Sequence, residues 1–233
     1  MRRRAKQEEP TAAAVDLDFA DRDRALKDYK IAVEYKHLWQ HAPGGVYVTP
    51  DLDDLRIWHG VIFVRRGMYA NGMFKFSVEL PQNYGDAGAW PRLVFMSTVF
   101  NPLVKPSNGE LDLRLMMPGW NPAGGDCMLK VITYMKKIFY TKDFALAAPP
   151  NPEAQRMFRD NKSGFAERAA ACVEESLSRR YESPPGSSLK FTEPRPAHDS
   201  VAARILGAQI GVPAAAGGGD AGAEAEGGDA MEA

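Results

Sequence analysis

Tyr69-Ala70-Asn71-Gly72-Met73-Phe74-Lys75-Phe76-Ser77-Val78-Glu79-Leu80 is the stretch that decides the fold class. Phe74, Phe76, Val78 and Leu80 alternate with Lys75, Ser77 and Glu79, the period of two of a strand with one buried face. Asn71-Gly72 lies between this run and an earlier apolar one. An Asn-Gly pair so placed predicts a hairpin, because both central residues of a type I′ turn take φ > 0. The partner strand is then Ile57 to Val64, which carries one glycine, Gly60. Outward from the hairpin, Val46-Tyr47-Val48-Thr49, ended by Pro50, and Arg92 to Met96 complete four strand candidates. Ahead of them, Ile31, Tyr35, Leu38 and Ala42 fall at i, i+4, i+7 and i+11, one face of a helix that Pro43-Gly44-Gly45 stops. Behind them, Met128 to Tyr140 and Pro152 to Arg180 read as helical. Strands grouped together argue for an α+β domain: an N-terminal helix, a four-strand antiparallel meander, then C-terminal helices.

Composition bounds the rest. A 45% hydrophobic fraction supports a core, and 29 basic against 30 acidic residues give no electrostatic reason to expect nucleic acid as a partner. Arg2-Arg3-Arg4 is expected to be a solvated start. No apolar segment follows it as in a secretory signal, no run approaches the roughly 18 apolar residues of a membrane span, and Met231-Glu232-Ala233 lacks a prenylation cysteine. The two cysteines, Cys127 and Cys172, show no metal or redox spacing and fit a cytoplasmic protein. Residues 1–19 are expected to be a disordered tail and 20–182 the domain. Residues 183–213 are expected to be a linker, opening Ser183-Pro184-Pro185-Gly186, and a short apolar helix. The Gly/Ala/acidic tract 214–233 is expected to be disordered.

This order of elements resembles the ubiquitin-conjugating (UBC-like, E2) fold, and a series of motifs makes the resemblance specific. Tyr69-Ala70-Asn71-Gly72 is similar to the family's tyrosine and glycine hairpin, and Pro81-Gln82-Asn83-Tyr84 to its Pro-x-x-Tyr segment. Phe100-Asn101-Pro102-Leu103 stands where the family has Tyr-His-Pro-Asn. Asn108-Gly109-Glu110-Leu111-Asp112-Leu113 is similar to Asn-Gly-x-x-Cys-Leu. Trp120-Asn121-Pro122 follows eight residues after Asp112, and Asn151-Pro152-Glu153-Ala154 looks like the opening of a late family helix. The match covers about residues 25–180. Gly45-Val46-Tyr47-Val48, Trp58 to Phe63, Phe74-Lys75-Phe76 and Pro91 to Phe95 narrow it to the Fused Toes, or AKT-interacting, subfamily of E2 variants. The resemblance implies a degenerate active-site region formed by Asn101, Pro102, Leu103, Asp112 and Trp120, with Asp112 at the cysteine position. It also implies a Hook-type coiled-coil protein and a Fused Toes–Hook-interacting protein as partners, in a complex that connects vesicle or endosome cargo to dynein.

The chemistry of these residue types agrees with a non-catalytic reading. An E2 needs a thiolate, both nucleophile and leaving group, to carry ubiquitin as a thioester. A carboxylate in its place would form an anhydride too labile to be a carrier. The family asparagine of His-Pro-Asn supports an oxyanion, and Leu103 has no donor to do so. Cys127, at the start of a predicted helix, is the rival nucleophile, because a helix dipole lowers a thiol pKa there; packing is the plainer reading. Cys172 reads as helix packing. His37 and His41, four apart, lack a third ligand, so no metal or cofactor is expected.

After the linker, Val201, Ile205, Ala208 and Val212 recur at helical spacing, widened by Leu206 and Ile210, with Asp199 or Ser200 as cap and Gly211 and Pro213 as stop. A helix this short and apolar is unstable alone in water. Val201, Ile205, Leu206 and Ile210 are therefore candidate partner-binding residues; packing on the helix's own domain is the alternative. Two functions besides a Hook-complex subunit stay open: a ubiquitin-binding variant that assists an active E2, and an active enzyme using Cys127.

Overall fold

Helix α1 spans Ala12–His41 in the computed structural model, which describes the backbone of residues 12–183 and 186–210 and the side chains of 21–183 and 186–207. Residues 1–11 and the 214–233 tract expected to be disordered lie outside the described residues. The helix begins inside the segment that the sequence assigns to a tail ending at residue 19. Ala12-Ala13-Ala14 and an absence of Gly and Pro from 12 to 41 give the backbone no reason to stop earlier. Ile31 and Leu38 are buried, and Tyr35 and Ala42 pack half-buried against the core.

Four strands follow: β1 Val46–Pro50, β2 Ile57–Phe63, β3 Met73–Glu79 and β4 Arg92–Phe95. They form one antiparallel sheet in the order β1-β2-β3-β4. The register pairs Val48 with Gly60, Gly60 with Phe76, and Phe76 with Phe95, so these share the inward face. Gly60 is required there, since a Cβ would meet the Phe76 ring at 2.2 Å. Alternation also buries Trp58, Phe74 and Val78.

The Asn71-Gly72 turn departs from the expected form. Asn71 takes φ 68, but Gly72 is not in the left-handed region. The loop instead runs from Val64 to Gly72, closed by the Asn71 N–H to Val64 C=O bond at 2.7 Å and the Gly72 N–H to Tyr69 C=O bond at 3.0 Å. The longer loop lets Tyr69 turn inward, where it meets Phe74 and Phe139 edge-on at 6.0 and 5.2 Å.

Helix α2, Met128–Lys137, buries Met128, Val131, Ile132, Tyr134 and Met135. The single helix expected over 152–180 is two, α3 Pro152–Asp160 and α4 Lys162–Ser178. Asn161, at φ −144 and ψ 76, interrupts them, and its side chain caps α4 by accepting from the Gly164 N–H at 2.9 Å. Phe158 and Phe165, one from each helix, meet at 5.0 Å.

Part of the expected linker is packed. Ser187 is buried, the Ser188 and Thr49 hydroxyls share a hydrogen bond, and the Phe191 ring meets Phe63 edge-on at 6.2 Å. Lys75 donates its ammonium to the carbonyls of Arg179, Arg180 and Glu182 past the end of α4. The strap 186–191 thus runs over the outward face of the sheet, which Thr49, His59 and Ser77 share in register. Under it, His59 Nε2 lies 2.9 Å from Asp51 Oδ2. Gly186 has φ +76, and a Cβ there would meet Asp51 at 2.1 Å.

The Asp51 carboxyl is held below its usual range, first by the Asp53 N–H and next by His59. A depressed carboxyl pKa contributes stability above the unfolded value, near 4, that is lost as pH falls through the folded value. Acid unfolding should therefore be shallower in Asp51→Asn than in the wild type below about pH 4. Urea midpoints at pH 3–6 check this, and parallel curves would rule it out.

The chain divides into two units between Thr192 and Glu193. The second contains α5, Pro196–Ile210. It starts before the expected cap residues: Pro196 suits a first helical turn, and the Arg195 N–H donates to His198 Nδ1 at 3.2 Å. Val201, Ile205 and Leu206 are exposed, while the Ile210 side chain lies outside the described residues.

Candidate functional site

Asn101 is the hub of the site. It is fully buried; its amide donates to the Ile138 carbonyl at 3.2 Å and to the Tyr69 hydroxyl at 3.4 Å, and its Oδ1 accepts from the Leu103 N–H at 3.0 Å. The Tyr69 hydroxyl in turn donates to the Phe100 carbonyl at 2.5 Å, and burial pushes its pKa up. A buried amide satisfied on both sides fixes the Phe100–Leu103 turn against the end of α2. Pro102 and Leu103 are buried in that turn.

Leu103 and Asp112 are neighbours through the backbone, since the Asp112 N–H donates to the Leu103 carbonyl at 3.0 Å. Between them Gly109, at φ +71, passes so close to β4 that a Cβ would meet the Phe95 carbonyl oxygen at 2.3 Å. Asp112 is half-buried, and its Oδ1 accepts from the Arg114 N–H at 2.9 Å, a local turn bond. The Tyr134 hydroxyl donates to the Asp112 carbonyl at 3.2 Å; burial first and the Asp112 charge second push the Tyr134 pKa up to about 12.

A cavity of about 300 Å³ opens beside Asp112, lined by Trp90, Arg92, Lys105, Glu110, Asp112 and Arg114 among others. Among the described residues no cysteine, serine or threonine lines it. Three of its charges are committed to one another: Glu110 takes Lys105 at 2.8 Å and Arg92 at 3.2 Å, and these two cations hold its carboxyl below the usual range, Lys105 first. Trp120 is buried against Tyr84 and Trp90 at about 6 Å. Its indole N–H finds no acceptor among the described residues.

Cys127 is the N-cap residue of α2 and half-exposed. It precedes Tyr134, whose hydroxyl reaches Asp112, by seven residues, about 10 Å along the helix axis, and it is not among the residues lining the cavity beside Asp112. Cys172 is buried in α4, where desolvation raises its pKa. The rings of His37 and His41 lie 4.5 Å apart, and among the described residues no three metal-ligating side chains converge. Among those residues, no helix is long and apolar enough to cross a membrane.

The sequence alone does not reveal Glu34. One carboxylate oxygen accepts from the Met128 N–H at 2.5 Å and the other from the Tyr84 hydroxyl at 2.7 Å, joining α1 to the start of α2 and to the Pro81–Tyr84 turn. Its only signal is its place on the Ile31–Leu38 face, where an acidic residue needs a buried partner.

Residues 30–173 match the model of the ubiquitin-conjugating enzyme family, and the chain belongs to that family. Within it the chain is similar to a crossbronx homolog of Anopheles gambiae, 35% identical over 172 residues covering 72% of this chain and 75% of that one. It is also similar to an AKTIP homolog of Nematostella vectensis, 38% identical over 63% of this chain and 48% of that one. Human AKT-interacting protein is 34% identical over 75% of this chain and 59% of that one. This chain thus spans about half to three quarters of these relatives. A ubiquitin conjugating enzyme E2 domain of Toxoplasma gondii shares the fold, with a TM-score of 0.54 and 20% identity over 64% of this chain and 97% of that one.

Proposed function

We propose that the protein is a non-catalytic E2 variant that acts by binding other proteins, with Asp112 in the place of the family's cysteine and Leu103 in that of its oxyanion donor. The observation that carries this reading is the chemistry around Asp112. Its carboxylate serves a backbone turn, the cavity beside it is lined by no thiol or hydroxyl among the described residues, and the neighbouring Leu103 side chain offers only hydrocarbon. Nothing there can hold an acyl group as a thioester.

The partner we propose is a Hook-type coiled-coil protein, together with a Fused Toes–Hook-interacting protein, in an adaptor that links vesicle or endosome cargo to dynein. The resemblance to the Fused Toes subfamily and the relatives named AKT-interacting protein support a binding role. The exposed Val201, Ile205 and Leu206 of α5 supply one docking face. Burying each would contribute about 1.5–3 kcal/mol before ordering costs are subtracted.

Ile205→Asp should therefore weaken association with the coiled-coil partner by roughly tenfold or more, since it places a charge on a face that docking desolvates. The melting temperature of the free protein should not change. Co-purification and affinity measured on the same variant test this; unchanged affinity with a lowered melting temperature would assign the helix to its own fold.

A further inference from the structure

Another cavity, of about 420 Å³, opens between the loop 64–72, the residues that follow α2 and the start of α4, and none of the residues lining the Asp112 cavity takes part in it. Its wall is aromatic. Phe144, Phe158 and Phe165 are buried and meet edge-on in series, Phe144 on Phe158 at 4.8 Å and Phe158 on Phe165 at 5.0 Å. They come from three places in the chain: the segment between α2 and α3, α3 itself, and α4. At the rim stand Met68 and Tyr140, exposed at only 36 and 37%. The apolar area is thus recessed. A ligand that enters the cavity is buried against it, whereas a flat surface laid across the rim meets little of it. A few hundred cubic ångströms of mostly apolar wall with few polar groups is the usual form of a small-molecule site.

The charges at this cavity have one sign. Lys142 and Lys162 line it, and among the described residues no acidic side chain does. Both lysines are exposed, and neither makes an ion pair with a described residue. The Lys162 ammonium lies 5.9 Å from the centre of the Phe158 ring, at the edge of the apolar wall. Lys162 also opens α4, whose first turn holds no acidic residue, so the positive end of the helix dipole adds to its charge. Arg65 and Arg66, both exposed, come directly before the lining residues Gly67 and Met68. The nearest acidic residues in sequence do not offset this. Asp143 is exposed and outside the lining, and Asp160 is taken by Arg159 at 2.7 Å.

We propose that this cavity binds a small carboxylate amphiphile of the fatty-acid class, its chain against Phe144, Phe158 and Phe165 and its carboxylate on Lys142 and Lys162. A neutral chain would leave the two ammoniums uncompensated, and a cationic one would be repelled. The test uses the full chain, with decanoate and 1-decanol as probes in calorimetric titration below the concentrations at which they aggregate. Decanoate should bind the wild type saturably at one site, at least tenfold more tightly than 1-decanol. Lys142→Glu/Lys162→Glu should weaken decanoate by roughly tenfold or more and leave 1-decanol nearly unchanged. Met68→Asp/Tyr140→Asp should weaken both probes. Without ligand all three proteins should melt alike, because the changed residues lie at the surface. In methyl NMR, decanoate should shift the Met68 signal and leave that of Met116, which is outside the lining, in place.

No saturable decanoate binding by the wild type would overturn the proposal. Decanoate bound equally by the wild type and by Lys142→Glu/Lys162→Glu would overturn the role of the lysines, and 1-decanol bound as tightly as decanoate would overturn the class of ligand. A decanoate shift at Met116 and none at Met68 would put the binding elsewhere. Sedimentation of the wild type with phosphatidylserine vesicles, in the absence of saturable decanoate binding, would make a membrane surface the occupant, also contrary to the proposal.

Discussion

Asn101→Ala should destabilise the domain by about 2–4 kcal/mol, which for a domain of this size is a fall of roughly 5–15 °C in melting temperature. The amide sits at zero exposure and holds three groups: the Leu103 N–H, the Ile138 carbonyl and the Tyr69 hydroxyl. Truncation leaves the first two unpaired in a dry interior, at about 1–3 kcal/mol each, and opens a small cavity. The Tyr69 hydroxyl still has the Phe100 carbonyl, so its loss is the smallest. Asn101→His should cost less than Asn101→Ala, since an imidazole offers one donor and one acceptor. Urea unfolding of the three proteins checks this. A change below about 0.5 kcal/mol for Asn101→Ala would mean that the hub is not holding the turn.

The second large effect concerns chemistry. Asp112→Cys should give a protein that transfers ubiquitin to lysine at most in traces. The substitution supplies the nucleophile but leaves Leu103, buried and without a donor, beside it. Loss of one oxyanion donor costs on the order of 10²–10³ in rate in enzymes where it has been measured. Asp112→Cys/Leu103→Asn should therefore outperform Asp112→Cys by a comparable factor, read as single-turnover discharge to free lysine. Equal rates would show that Leu103 is not the missing support. The Tyr134 hydroxyl, which holds the Asp112 carbonyl, is unaffected by either change, so backbone position is a constant of the comparison.

Much of the architecture was legible because it rests on period. The alternation of Phe74, Phe76, Val78 and Leu80 and the helical spacing of Ile31, Tyr35 and Leu38 reflect burial, and burial is what the structure shows. What periodicity could not reveal were contacts between distant residues. The strap 186–191 follows Pro184-Pro185 in the sequence, opens with Gly186 and looks like a linker, yet Phe191 on Phe63 and Ser188 on Thr49 tie it to strands well over a hundred residues earlier. Glu34 has the same character: its partners lie 50 and 94 residues away. The Asn71-Gly72 pair failed as a two-residue turn for a different reason, since Tyr69 is drawn into the aromatic core and the loop lengthens to let it in. The break at Asn161 was legible only in part: Asn is a favoured N-cap, but the Glu or Gln three residues on that would strengthen the signal is Gly164 here.

For the site, motif order was sufficient to bring Asn101, Leu103 and Asp112 to one place, where backbone and side-chain hydrogen bonds now join them. What the motifs could not convey is that Asn101 is a structural amide rather than a solvated one, or that Glu110 already neutralises Lys105 and Arg92 beside the cavity.

The central claim, that this member of the ubiquitin-conjugating enzyme family carries no acyl group, is tested most directly by charging the unmodified protein with E1, ATP and ubiquitin and separating the products with and without DTT. No DTT-sensitive ubiquitin adduct should form, under conditions in which an active E2 charges fully. A DTT-sensitive adduct that disappears in Cys127→Ser would contradict the account and make Cys127 the nucleophile of an active enzyme.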